Sequence, residues 1–153
     1  MTKTRLFILV FLVVPLLAIL VRPAVAFDEI NKSFFGDVTL GGYDAVSYFT
    51  ESKAVKGDKA HAAKWKGATW LFSSDANRKR FLESPLRYAP QYGGYCSNQM
   101  SLGNLSDTDP EVWRVIDNKL YLFGHEAGRV RWANETGQRI VDADLHWRRY
   151  LAR

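Results

Sequence analysis

The sequence predicts a small single α+β domain with two short β-hairpins and several short helices, preceded by a signal peptide. Three observations carry that expectation. A basic flank and an apolar run stand first in the chain; two pairs of apolar segments then flank tight turns; and capped or proline-bounded stretches lie between and after them. The regular strand–helix alternation of a parallel sheet is missing, which favours α+β over α/β. With 153 residues, 47% hydrophobic and 14% aromatic, the chain can fill one core and hardly two.

Lys3 and Arg5 precede the apolar run Leu6 to Val21, and Arg22-Pro23 leads into the small-x-small site Ala24-Val25-Ala26. The run has 16 residues and contains Pro15. It falls short of the ~20 that span a bilayer comfortably. Residues 1–26 are therefore read as a cleaved signal peptide and 27–153 as the domain. No cysteine lies at the cleavage point, which excludes a lipoprotein anchor.

In the mature part, residues 27–36 form a lead-in and Gly41-Gly42 a turn. Ala45 to Phe49 alternate well enough for a short strand, and Glu51 to Lys59 reads as a loop. His61–Lys66 and Ala68–Ser73 flank Gly67 as a hairpin, with Trp70 and Phe72 on one face. Ser73 or Ser74 caps a helix from Asp75 to Glu83, which Pro85 ends. The stretch from Pro85 to Gly103 reads as irregular structure or one brief helix after Cys96. Val112–Ile116 and Leu120–Phe123 make the second hairpin around Asp117-Asn118-Lys119, and the tail is helix in two pieces separated near Gly137. No internal repeat is visible in the sequence.

Composition removes several functions. Lys and Arg total 21 against 16 Asp and Glu, and residues 1–26 hold three of the bases and no acid. The mature chain therefore carries 18 minus 16, or +2, too balanced for a nucleic-acid surface. The single cysteine, Cys96, precludes an intrachain disulfide, a dithiol redox pair and a four-thiolate zinc site. Neither a phosphate loop, nor a GxSxG elbow, nor an HExxH motif is present.

The densest candidate segment is Tyr88-Ala89-Pro90-Gln91-Tyr92-Gly93-Gly94-Tyr95-Cys96-Ser97-Asn98-Gln99-Met100-Ser101. Paired glycines allow close backbone approach, and the tyrosines around them supply rigid amphipathic walls, so Tyr92, Gly93, Gly94 and Tyr95 are candidate ligand-binding residues. Cys96 and Met100 stand four apart, and one helical turn would put thiolate and thioether on one face as a soft pair for Cu(I). In the alternative reading Cys96 packs as a small hydrophobe and Met100 fills a gap. Asp44 is read first as a turn carboxylate accepting backbone amides. His61, His125 and His146 show no zinc spacing.

Gly42-Tyr43-Asp44-Ala45-Val46-Ser47-Tyr48-Phe49, Lys66-Gly67-Ala68-Thr69-Trp70-Leu71-Phe72, the Tyr88–Cys96 segment, and Lys119-Leu120-Tyr121-Leu122 with Ala143-Asp144 and Trp147 together resemble the exported YHS-domain proteins of bacteria. The resemblance implies a non-catalytic periplasmic or secreted module that binds a soft metal, most plausibly copper, with the family cysteine falling on Cys96; help from Met100 or a histidine is read from this chain's own residues. The alternative is a small-ligand or protein-binding domain using the tyrosine-rich segment, with Cys96 structural. A thiol enzyme would need a base beside Cys96, and the sequence presets none. Protein recovered from a bacterial periplasm is expected to begin at Phe27 by intact-mass measurement; a membrane-bound form retaining residues 1–26 would show an anchor instead.

Overall fold

The computed structural model describes residues 27–33 and 36–153; the expected signal peptide lies outside them. In chain order the elements are a 3₁₀ turn at Leu40–Gly42, α1 (Ser47–Thr50), β1 (Asp58–Trp65), β2 (Ala68–Phe72), α2 (Asp75–Glu83), α3 (Pro85–Tyr88), a 3₁₀ turn at Gln91–Gly94, α4 (Ser97–Ser101), β3 (Asp109–Ile116), β4 (Lys119–Phe123), α5 (Glu126–Asn134) and α6 (Thr136–Leu151). The strands form two antiparallel pairs, β1–β2 and β3–β4. This is the α+β domain with two hairpins that the sequence predicts. None of the described helices is long and apolar enough to cross a membrane.

Local chemistry explains the boundaries. The Ser74 hydroxyl accepts the Asn77 N–H and starts α2, while Pro85 opens a separate turn, α3. Both hairpins turn on two left-handed residues, Lys66-Gly67 and Asp117-Asn118, whose geometry matches the twist of antiparallel strands. The expected strand at Ala45–Phe49 is instead the helical turn α1. Asp44 Oδ1 accepts the Val46 N–H and the Ser47 hydroxyl donates to the carbonyls of Asp44 and Lys53, so side chains curl the backbone before a strand can form. The tail helix breaks at Glu135, and Gly137 lies inside the first turn of α6.

The chain is internally duplicated, against the expectation from the sequence. In the first hairpin Asp58 pairs with Phe72 and, after a bulge, Ala62 with Leu71 and Trp65 with Ala68. Adding 51 to each number gives the second hairpin: Asp109 with Phe123, a bulge, Trp113 with Leu122, Ile116 with Lys119. The same shift converts α2 into α5, the cap Ser74 into His125, and the Asp75–Arg78 ion pair into Glu126–Arg129. Upstream, a shift of 52 carries Leu40-Gly41-Gly42 onto Tyr92-Gly93-Gly94, every residue of both triplets having positive φ. The Asp44 N–H donates to the Val55 carbonyl and the Cys96 N–H to Ser106, again one site in two copies. From 58 to 83 only six of the 26 aligned positions are identical (Asp58, Leu71, Phe72, Ala76, Arg78 and Arg80), so backbone geometry preserves what the sequence has largely lost.

Each unit builds a core on equivalent aromatics. Trp70 and Phe72 close on Phe81 at ring distances of 4.7 and 5.1 Å; Tyr121 and Phe123 close on Trp132 at 5.6 and 5.7 Å. The cores meet at β4, where Leu120 and Leu122 enter the first and Tyr121 and Phe123 the second. Helix α6 covers the second core with Ile140, Ala143, Trp147 and Tyr150. Of the five tryptophans, Trp70 and Trp132 are fully buried and the others line the cores' margins. Trp70→Ala is expected to cost about 3–5 kcal/mol, against about 0.5 or less for neutralising Arg78, Lys79 or Arg80 singly; denaturant midpoints measure the difference, and equal midpoints would contradict this packing.

Candidate functional site

Cys96 caps the N-terminus of α4 with extended backbone, and its carbonyl accepts the Met100 N–H at 2.8 Å. The thiol is only 4% exposed. Its sulfur accepts the Gly124 N–H at 3.3 Å, from the residue that follows β4. Met100 is fully buried in the same cluster, so the structure brings the two candidate soft donors onto one short helix and into one core. Beside them, Ser97 and Asn98 are also buried, and Ser97 Oγ and Asn98 Oδ1 have no hydrogen-bond partner among the described residues.

The duplication shows what this position is for in the other unit. There it belongs to Asp44, which is wholly buried. Asp44 Oδ1 accepts the Val46 N–H at 2.8 Å; Oδ2 accepts the Ser73 N–H at 2.9 Å, the Ser73 hydroxyl at 2.8 Å and the Asn77 carboxamide at 2.7 Å. A buried carboxylate needs such a set of donors, since an unmatched charge there would cost several kcal/mol. Shifting by 51 turns Ser73 into Gly124 and Asn77 into Gly128, so the second unit keeps the backbone N–H and loses both side-chain donors. The sulfur sits where the carboxylate sits, served by one donor in place of four. Around it Ala45 and Val46 have become Ser97 and Asn98, polar groups where the first unit buries apolar ones.

The other candidates of this segment are engaged in packing. Gly93 approaches the lead-in so closely that a β-carbon would collide with the Glu29 carbonyl, and its own carbonyl accepts the Asn31 N–H at 2.8 Å. Only a glycine with positive φ fits there. The Gly94 carbonyl accepts the Thr108 hydroxyl at 3.0 Å. The Tyr92 hydroxyl donates to Asp144 at 3.0 Å and the Tyr95 hydroxyl to the Asp28 carbonyl at 3.0 Å. Burial first, and the nearby Asp144 second, hold the Tyr92 phenol well above the ordinary tyrosine range; burial raises Tyr121 to about 12. Both tyrosines are neutral core residues at any physiological pH. Tyr92, Gly93, Gly94 and Tyr95 thus fasten the lead-in and α6 to the second unit; Tyr92 and Gly93 also line a cavity of about 150 Å³, and Gly94 one of about 230 Å³.

Among the described residues no three His, Cys, Asp or Glu side chains gather as a metal cluster. His125 follows Gly124 in the chain but is exposed, and its Nδ1 accepts the Gly128 N–H as the cap of α5. The imidazole of His146 lies against Gly103, beyond the far end of α4. The sequence reading missed the counterpart relation between Asp44 and Cys96; its visible trace is the Gly-Gly-Tyr triplet that precedes each.

Fold and site together define a small α+β protein made of two turn–hairpin–helix units, one carrying a saturated carboxylate and the other a sparsely bonded thiol. The YHS domain family matches residues 46–92, and a YHS domain is therefore present in this chain. The matched stretch runs from α1 through α3, essentially the first unit, and ends before Cys96. No curated protein matches the chain. No solved structure matches it either.

Asp44→Ala leaves several buried donors unanswered and is expected to destabilise the domain by at least about 3 kcal/mol. Cys96→Ala, which removes the acceptor of one N–H, is expected to cost about 1–2 kcal/mol. Urea midpoints of the two variants test the asymmetry, and equal losses would remove it.

Proposed function

We propose that this protein is a non-catalytic binding module, working outside the cytoplasm, that holds one soft metal ion, Cu(I), at Cys96 with Met100 as the second donor. The observation that carries this reading is the exchange at one duplicated position: a carboxylate with four hydrogen-bond donors in the first unit, a sulfur with one in the second, accompanied by a buried thioether four residues on. The donor set suits Cu(I). Thiolate and thioether are soft, and a monovalent ion on a single thiolate is a neutral pair, the form of charge that a buried site tolerates best. Zn²⁺ asks for three or four nitrogen, sulfur or carboxylate ligands, a gathering not found among the described residues. The unpartnered Ser97 Oγ and Asn98 Oδ1 mark the same place as polar beyond what packing needs. Among the described residues the one hydrogen bond to the buried thiol comes from a backbone N–H, and His125 is engaged as the cap of α5, which argues against a nucleophilic enzyme.

The thiolate should dominate affinity, because it supplies charge and softness where the thioether supplies softness alone. In anaerobic competition with a Cu(I) chelator, Cys96→Ser is expected to lose tight binding and Met100→Leu to weaken it, both variants remaining folded. Wild type and Cys96→Ser competing equally poorly would end the metal reading and leave Cys96 as a packing residue.

A further inference from the structure

A cavity of about 520 Å³ opens between the two units, and neither Cys96 nor Met100 lines it. Tyr48 and Phe49 of α1, Arg87 of α3, Trp113 and Val115 of β3 and Asn118 of the β3–β4 turn border it. Its size lies in the range of small-molecule sites, which favour junctions between structural units. The Tyr48 and Trp113 rings meet edge to face at 5.2 Å, and the Tyr48 hydroxyl is committed to the Pro110 carbonyl at 2.8 Å. Burial holds that phenol above its ordinary range, so Tyr48 contributes an apolar face and no charge.

The charges bordering the cavity are of one sign. Arg87 and Arg114 border it, and Asp and Glu are absent from its lining. Arg87 lies over the Tyr88 ring at 5.5 Å and forms no ion pair among the described residues. Arg114 also borders a smaller cavity and senses Glu126, whose carboxylate is bound by Arg129. The duplication indicates that the fold does not require these side chains. At the registers of Trp113, Arg114 and Val115, strand β1 carries Ala62, Ala63 and Lys64. The second unit has acquired an indole and a guanidinium where alanines suffice.

We infer that this cavity binds a small aromatic acid, its ring against Trp113, Tyr48 and Phe49 and its carboxylate on Arg87, with Arg114 adding positive potential. Guanidinium groups recognise carboxylates in bidentate fashion, and apolar walls with few polar groups fix orientation. The site is separate from the proposed metal centre and stands or falls without it.

Calorimetric titration of the purified protein with 1-naphthoate, and with its neutral isostere 1-naphthamide, tests the assignment. Saturable naphthoate binding at least about tenfold tighter than naphthamide binding is expected, since a charge-assisted hydrogen bond is worth about that much. The double variant Arg87→Gln/Arg114→Gln should lose that advantage while keeping its thermal midpoint, Trp113→Phe should weaken both ligands, and Cys96→Ser should change neither. Failure of naphthoate to saturate at millimolar concentration, equal affinity for acid and amide, or undiminished binding by the arginine double variant would each overturn the proposal.

Discussion

The structure depends on a strand buried on both faces. Strand β4 alternates Leu120, Tyr121, Leu122 and Phe123, all 2% exposed or less, and sends successive side chains to opposite cores. Sharing a wall in this way lets two units of about fifty residues, each too small to bury an adequate core alone, reach the burial of one domain. A one-residue slip in the β3–β4 register would exchange leucines for aromatics on both faces at once. The two-residue turn at Asp117-Asn118 fixes that register.

From that wall outward, each unit repeats one solution. A left-handed glycine turn is followed by a tyrosine, then by the residue that reaches across to the N–H just after the hairpin, and then by a short helix. That N–H lies at the junction of strand and helix, where the sheet ladder no longer supplies an acceptor. A side chain must supply it, because buried N–H groups are seldom left unpaired. Asp44 and Cys96 are two answers to one backbone requirement. The first turn of helix α6 corresponds to α3 at the same shift; the rest of α6 has no counterpart and covers α4 and the second core.

Sequence patterns disclosed most of the elements because their signals are local. Both hairpins and the bounds of α2 at Asp75 and Glu83 follow from alternation, caps and proline, whereas the stretch read as irregular or one brief helix holds α3, a 3₁₀ turn and α4. What stayed hidden is non-local. The alternating pattern at Ala45–Phe49 suggested a strand, but a carboxylate and a hydroxyl from neighbouring residues satisfy the backbone in a helical turn. The duplication was hidden because register constrains positions, while packing accepts Trp70 or Tyr121, and Phe81 or Trp132, equally well. The family resemblance reached Cys96 through the Tyr-Gly-Gly-Tyr-Cys run, while the matched YHS domain spans only residues 46–92. Amphipathic aromatics serve packing and binding alike: Tyr92 and Tyr95 hold α6 and the lead-in through their hydroxyls, and Tyr92 also borders a cavity.

Under the metal reading proposed above, duplication also gives a physical reason for a ligand site in the second unit rather than the first. A saturated buried carboxylate is rigid and strongly bound, and it cannot accept a further ligand without breaking bonds that hold the fold. Replacing it by sulfur, and its two side-chain donors by Gly124 and Gly128, gives up part of that stability at one unit while the other retains it in full. The two cores meet at β4, so rigidity on the Asp44 side supports the wall against which Cys96 packs. A single unit would have to choose between holding itself together and keeping a reactive atom sparsely bonded; two units that share a strand can divide those tasks. At the registers of Trp113 and Arg114 the first unit carries alanines and forms the same hairpin.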